Sequence, residues 1–148
     1  MATNKKVKSE DLTPYLVALR ILGYRFNSEA ELRRKLAAKR FDEAAIAETI
    51  ARLREEKWLD DERFAGAFVR TRVLKGIGRL RIRGELRNAG VSEEAAERAI
   101  RENTEGEEER LRAAVEKLSR RFGADRNKIA SRLQRQGFEI SAILSYLR

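Results

Sequence analysis

Residues 82–100 read IRGELRNAGVSEEAAERAI, with apolar side chains at Ile82, Leu86, Val91, Ala96 and Ile100. The same spacing returns in residues 32–50, LRRKLAAKRFDEAAIAETI, at Leu32, Leu36, Phe41, Ile46 and Ile50. It returns again in residues 129–147, IASRLQRQGFEISAILSYL, at Ile129, Leu133, Phe138, Ile143 and Leu147. All fifteen positions are apolar, and the anchors Leu36, Leu86 and Leu133 lie 50 and 47 residues apart. A step of four holds two side chains on one helical face. The step of five, centred on Arg40, Gly90 and Gly137, breaks that phase. Glycine suits a helix C-terminus there, because a left-handed residue without Cβ carries no steric penalty. Asp42 and Ser92 can then cap the following helix by accepting from its unpaired amides. Glu139 is a poorer cap that still offers favourable charge. Each stretch is therefore a pair of helices joined by a tight turn, and the chain is an internal triplication.

A longer helix precedes each pair, over residues 14–22, 62–74 and 108–122. Asp60 or Asp61 is placed to cap the second of these, and Ser28 with Glu31 reads as a capping box for the helix after the first. The fold class is all-α: three tandem three-helix repeats over residues 12–58, 59–104 and 105–148, preceded by a flexible tail over 1–11. Small units of this kind stack on their neighbours, which implies an elongated, curved array. Residues 103–106, Asn-Thr-Glu-Gly, read as either a hinge or an ordered connector. The acidic run Glu107 to Glu109 marks a helix start, where carboxylates complement the dipole. Trp58 is assigned to packing between repeats, and Phe64 and Phe68 to the core.

Composition narrows the function. The chain has 148 residues, 42% hydrophobic and 39% charged, with a net charge of +9 and neither histidine nor cysteine. Thiolate and histidine metal sites, cysteine nucleophiles, Ser-His-Asp triads and the commonest general base are excluded. The expectation is a protein that is not an enzyme and carries no metal or other cofactor. No run approaches the about 20 apolar residues that span a bilayer, and no apolar stretch follows the first lysines. A cytoplasmic location with no membrane partner is expected. The excess of positive charge points to a polyanionic or acidic partner.

That charge is unevenly placed. Arg70, Arg72, Lys75, Arg79, Arg81, Arg83 and Arg87 share their stretch with one acid, Glu85. Gly76-Ile77-Gly78 is a turn, so a helix starts near Arg79 with cations in its first turn, opposing the dipole by about 0.3–1 kcal/mol each. Arg79, Arg83 and Arg87 follow at i, i+4 and i+8, a basic ridge with free amides at its head and thus a candidate anion site. The glycine pair lacks the strand and third glycine of a dinucleotide fingerprint. Smaller clusters occur at Arg33, Arg34, Lys35, Lys39 and Arg40 in the first repeat and at Arg126, Lys128, Arg132 and Arg135 in the third. If the repeats stack with a common rotation, these helices line one positive track. Tyr15, Tyr24 and Tyr146 are too dispersed to form a stacking platform.

The stretch WLDDERFAGAFVRTR (58–72), then Gly76-Ile77-Gly78, RIRGEL (81–86) and Ala89-Gly90-Val91, resembles the RecX family, and SEAELRRKL (28–36) is similar to its first-repeat motif. The resemblance implies the same three-repeat fold, which the spacing above gives independently. It also implies a non-catalytic regulator that binds RecA and its filament on single-stranded DNA, lodges in the filament groove and restrains strand exchange and coprotease activity. Direct nucleic-acid binding would be weak and the protein a monomer. Asp60, Asp61, Arg63, Gly78, Arg81 and Arg83 fall in the signature; the aspartates are assigned to capping and inter-repeat contacts. Arg79, Arg81, Arg83 and Arg87 are assigned to DNA or the acidic filament surface. Arg40 stands where the other repeats have glycine. The alternative is a stand-alone DNA-binding protein of helix-turn-helix type, which paired helices permit.

Overall fold

The turn and capping residues divide the chain into helices as their chemistry requires. In a computed structural model, which describes residues 12–147, these are α1 (Pro14–Tyr24), α2 (Glu29–Ala38), α3 (Glu43–Glu55), α4 (Asp61–Leu74), α5 (Arg79–Asn88), α6 (Glu93–Asn103), α7 (Glu107–Phe122), α8 (Arg126–Arg135) and α9 (Ile140–Tyr146). The tail assigned to residues 1–11 lies outside the described residues. Ser28 Oγ accepts from Glu31 N at 3.1 Å while Ser28 N donates to Glu31 Oε1 at 3.1 Å, so the capping box forms in both directions. Asp42 and Ser92 cap α3 and α6 through Ala45 N and Ala95 N. Glu139 makes no side-chain cap on α9. The described residues are helical with no strand among them, an all-α array of helical repeats.

Three separate apolar clusters hold the helices. Leu32, Leu36, Ile46, Ile50 and Leu53 close on Val17 and Ala18 of α1. Ile82, Leu86, Val91, Ala96 and Ile100 close on Phe64 and Val69 of α4. Ile129, Leu133, Phe138 and Ile143 close on Leu111, Val115 and Leu118 of α7. All fifteen template positions are therefore in or against a core; only Phe41 and Leu147 remain partly exposed. Each fully buried leucine or isoleucine contributes about 1.5–3 kcal/mol, which makes this ladder the main stabilising term. Leu59 joins the first cluster, one residue beyond the boundary expected for that repeat. Trp58 departs from its assignment to packing: it is 54% exposed and belongs to no cluster. Its indole donates to Glu56 instead, one of several contacts holding that carboxyl below its usual range, after those from Tyr15 and Arg52.

Residues up to Asp61 form one compact unit and those from Glu62 a second, so α4–α9 belong together. Within the second unit the join between the two triplets is backbone to backbone. Gly78 N donates to Gln136 O at 2.8 Å and Leu80 N to Gly137 O at 3.1 Å. A Cβ on Gly78 would lie 2.5 Å from the Gly137 carbonyl carbon, and one on Gly137 would overlap Arg81 Cβ. Both glycines are needed for contact, not only for turning. The 103–106 segment is tied down: Thr104 is buried, its N and Oγ1 both donate to Ile100 O, and Arg110 donates to the carbonyls of Thr104 and Glu105.

The turn positions share one geometry. Gly90 and Gly137 have φ of 77° and 101°, and Arg40 adopts φ of 67° in the same place. A left-handed residue with a Cβ costs roughly 1–2 kcal/mol, of which glycine's larger unfolded-state entropy returns part. Arg40→Gly should therefore raise stability by about 0.5–1 kcal/mol, read as a Tm increase of about 2–4 °C. Gly137→Ala combines overpacking with left-handed strain and should cost about 2–4 kcal/mol in urea unfolding. An unchanged midpoint would show that α5 and α8 are not in contact.

Candidate functional site

Seven cations on α4, α5 and the turn between them were expected to face a partner; the structure binds most of them internally. Arg79 sits first on α5, where its amide donates to Glu107 Oε1 at 2.7 Å and its Nε pairs with Glu107 Oε2 at 3.1 Å. Arg83 is clasped by both carboxylate oxygens of Glu97 on α6. Glu85 lies between Arg81, at 3.1 Å, and Arg72, at 2.8 Å. The Arg72 contact is charge against charge, since its N–H is turned off the line to the oxygen. Arg72 also lies over the Phe68 ring, 4.9 Å from its centre. Arg70 donates to Asn103 Oδ1 at 3.4 Å. Lys75, after α4, and Arg87, near the end of α5, are exposed.

The anion site expected at the head of α5 is thereby corrected. Its amides are not free: Gly78, Arg79 and Leu80 donate to Gln136 O, Glu107 and Gly137 O. Cations in a first turn lack the negative charge that a helix N-terminus favours. Glu107, the first residue of α7, supplies it from another helix. The acidic run thus starts α7, as its sequence indicates, and also completes α5.

The third repeat is different. Arg121, Arg126, Lys128, Arg132 and Arg135 are all exposed, and none forms an ion pair among the described residues. Three of them surround one ring: Lys128 Nζ and the Arg121 and Arg132 guanidinium carbons lie 4.9, 5.1 and 5.8 Å from the Phe122 centre. A ring face attracts cations without neutralising them. Arg135 adds only a weak bond to Ser131 O at 3.4 Å. Because Gln136 O and Gly137 O hold the start of α5, the C-terminal end of α8 meets the residues that carry Arg79 and Arg81. The basic helices of the second and third repeats therefore meet end to end.

The first repeat resembles the second more than the third. Arg33 and Arg54 share Glu29, the former at 3.8 Å, and Arg25 pairs with Glu31 at 3.1 Å. Lys35 donates to Asn27 Oδ1 at 2.6 Å, and burial followed by the Arg25 charge holds its ammonium below the usual lysine range. Arg34 and Lys39 are exposed. Of the signature residues, Asp61 accepts from Glu29 N at 2.9 Å, and burial pushes its carboxyl up. Asp60 precedes α4 and is exposed; Arg63, on the outer face of α4, borders a shallow cleft with Arg70 and Arg98.

Sequence reasoning placed the arginines correctly but not their counter-charges, because Glu97 and Glu107 lie far along the chain. It also passed over Phe122 as one more apolar position. No group of histidine, cysteine or acidic side chains suited to a metal occurs among the described residues, and no helix there is long and apolar enough to cross a membrane.

Paired cations must exchange a carboxylate for a phosphate, whereas unpaired ones need not. Replacing Arg126, Lys128 and Arg132 by alanine should weaken binding of a single-stranded oligonucleotide at low salt more than replacing Arg79, Arg81 and Arg83. Glu97→Gln should tighten it by about two- to five-fold, as a half-exposed counter-charge is worth roughly 0.5–1 kcal/mol. Fluorescence anisotropy reads both, and the reverse order would assign the interface to α5.

The chain is similar to known proteins along most of its length. Residues 15–53 match the model of the first three-helix domain of RecX, and residues 60–100 match that of the second. A regulatory protein RecX from Stenotrophomonas maltophilia is 37% identical, covering 95% of this chain and 89% of its own; one from Xanthomonas campestris is 36% identical over 90% and 85%. The crystal structure of RecX from Lactobacillus salivarius superposes with a TM-score of 0.79 at 28% identity, covering 90% of this chain and 94% of that one. With nearly full-length identity, two matched domains and a shared fold, the chain belongs to the RecX family of regulatory proteins.

Proposed function

We propose that this protein restrains RecA by binding its filament on single-stranded DNA, lying in the filament groove and limiting recombinase and coprotease activity. It acts as a cytoplasmic monomer, without catalysis. The observation that carries the reading is the set of cations on α8 that form no ion pair among the described residues, on a helix whose end meets the start of arginine-bearing α5 through Gly78 and Gly137. Membership of a family of regulatory proteins supports it. A basic surface made by successive helices can meet several phosphates or acidic subunits at once, so avidity replaces any single strong contact. Such a body binds an assembled polymer better than a free subunit, and only differential affinity of that kind shifts an assembly equilibrium.

The test compares RecA–single-stranded DNA filaments with and without this protein, by electron microscopy and by anisotropy of labelled protein. Binding to the filament should exceed binding to bare single-stranded DNA, and the Arg126, Lys128 and Arg132 alanine variant should lose it. If about six phosphates are neutralised, affinity for bare DNA should fall by roughly 10²–10³-fold between 50 and 200 mM salt. Equal affinity for filament and bare strand would overturn the proposal. A duplex sequence bound at least ~10³-fold more tightly than random DNA would instead make it a helix-turn-helix regulator.

A further inference from the structure

A cleft in the first repeat takes no part in the α5 and α8 clusters. The end of α1 and the turn between α2 and α3 enclose about 640 Å³. Its floor is apolar, formed by Val17, Ile21 and Phe41, and its rim carries Arg20, Lys39 and Arg40. Tyr24, 87% exposed, extends one wall. A second hollow of about 450 Å³ shares Ile21, Tyr24 and Lys39 with the first, so the two form one groove. Of the cations of the second hollow, Arg25 is engaged by Glu31 and Lys35 by Asn27, and Lys39 is shared with the first. Those of the first, Arg20, Lys39 and Arg40, form no ion pair among the described residues.

Arg40 adds an independent observation. It holds φ of 67° at a turn where the second and third repeats have glycine. The cheaper residue for that backbone is glycine. Lys57 holds φ of 65° as well, so the backbone alone assigns no role; what singles out Arg40 is its place at the lip of this cleft.

We propose that this cleft binds an acidic peptide segment of a protein partner, seating one bulky apolar side chain on Val17, Ile21 and Phe41 between carboxylates that meet Arg20, Lys39 and Arg40. The charges alone would suit a nucleic acid as well, but the floor would not. A base pressed against it would bury polar edges without partners, and a phosphate would gain nothing from it. The segment before Leu12 carries Lys5, Lys6 and Lys8, which repeat the charge of the rim, and Glu10 and Asp11, which oppose it, so its occupancy of the groove is an outcome of the test. The inference is separate from the RecA reading, since it rests on the first repeat and a different ligand chemistry.

The probe is a short fluorescein-labelled peptide of aspartates and glutamates around one phenylalanine, titrated against the full chain. Its control carries alanine in place of phenylalanine. The phenylalanine peptide should bind about tenfold more tightly, a difference of about 1.4 kcal/mol. Arg40→Gly should weaken binding several-fold while raising the melting temperature, which separates loss of a contact from loss of fold. Tyr24→Ser, at a largely exposed site, should weaken it with little change in stability. Equal binding of the two peptides would overturn the proposal, as would unchanged binding by Arg40→Gly. So would displacement of the peptide by a single-stranded oligonucleotide, or much tighter peptide binding by a chain lacking residues 1–11, since each assigns the groove to another occupant.

Discussion

The second unit depends on a contact with no side chains in it. Gly78 N and Leu80 N donate to the carbonyls of Gln136 and Gly137, so the start of α5 is satisfied by the end of α8. An unpaired buried amide costs as much as a lost hydrogen bond, and the first amides of any helix lack internal partners. The two helix ends meet these needs mutually: the α8 end has spare carbonyls and the α5 start has spare amides. The approach is close enough that Cβ atoms on the two glycines would collide with the facing chain. Two three-helix triplets with separate cores thereby become one unit, and their basic helices are set end to end.

The same contact decides how the charge is spent. With the amides of Gly78, Arg79 and Leu80 taken, an anion reaching that helix start must displace Glu107. The first-turn cations there, unfavourable by themselves, are balanced by Glu107 across the junction. Glu85 and Glu97 do likewise for Arg72, Arg81 and Arg83. Surface pairs of this kind are worth little, about 0–1 kcal/mol each, so they can be exchanged for stronger anions. Arg121 of α7 and Lys128 and Arg132 of α8 crowd round the Phe122 ring instead. That arrangement leaves their charge without a carboxylate partner among the described residues. The most arginine-rich helix is therefore not the most available one.

Much of this was legible in the sequence because local rules govern it. The apolar spacing gave the three cores, and Ser28, Asp42 and Ser92 marked helix starts because capping acts over three residues. The acidic run at Glu107 was read correctly as the start of α7 for the same reason. Its second role, on Arg79, was not readable, since it spans 28 residues of chain. Trp58 was misjudged because size and apolarity favour burial on average, while its indole N–H found a carboxylate at the surface. Gly78 and Gly137 show the limit most clearly. Sequence spacing identified a turn at Gly137, but not that α5 would press against it.

The three copies also show how one backbone position can diverge. A left-handed residue ends the second helix of every repeat, at Arg40, Gly90 and Gly137. In the third repeat the absence of a Cβ admits the α5 chain, so glycine is required by contact as well as by conformation. In the second, Gly90 is exposed, with a φ of 77° that favours glycine. In the first, conformation would favour glycine and no contact forbids a side chain, yet an arginine stands there beside an apolar cleft. Folding therefore explains two of the three residues at this position. The third imposes a conformational cost on its own repeat, and its side chain borders that cleft. The first repeat thus departs from the other two in the side chain it presents at this turn, while keeping their backbone.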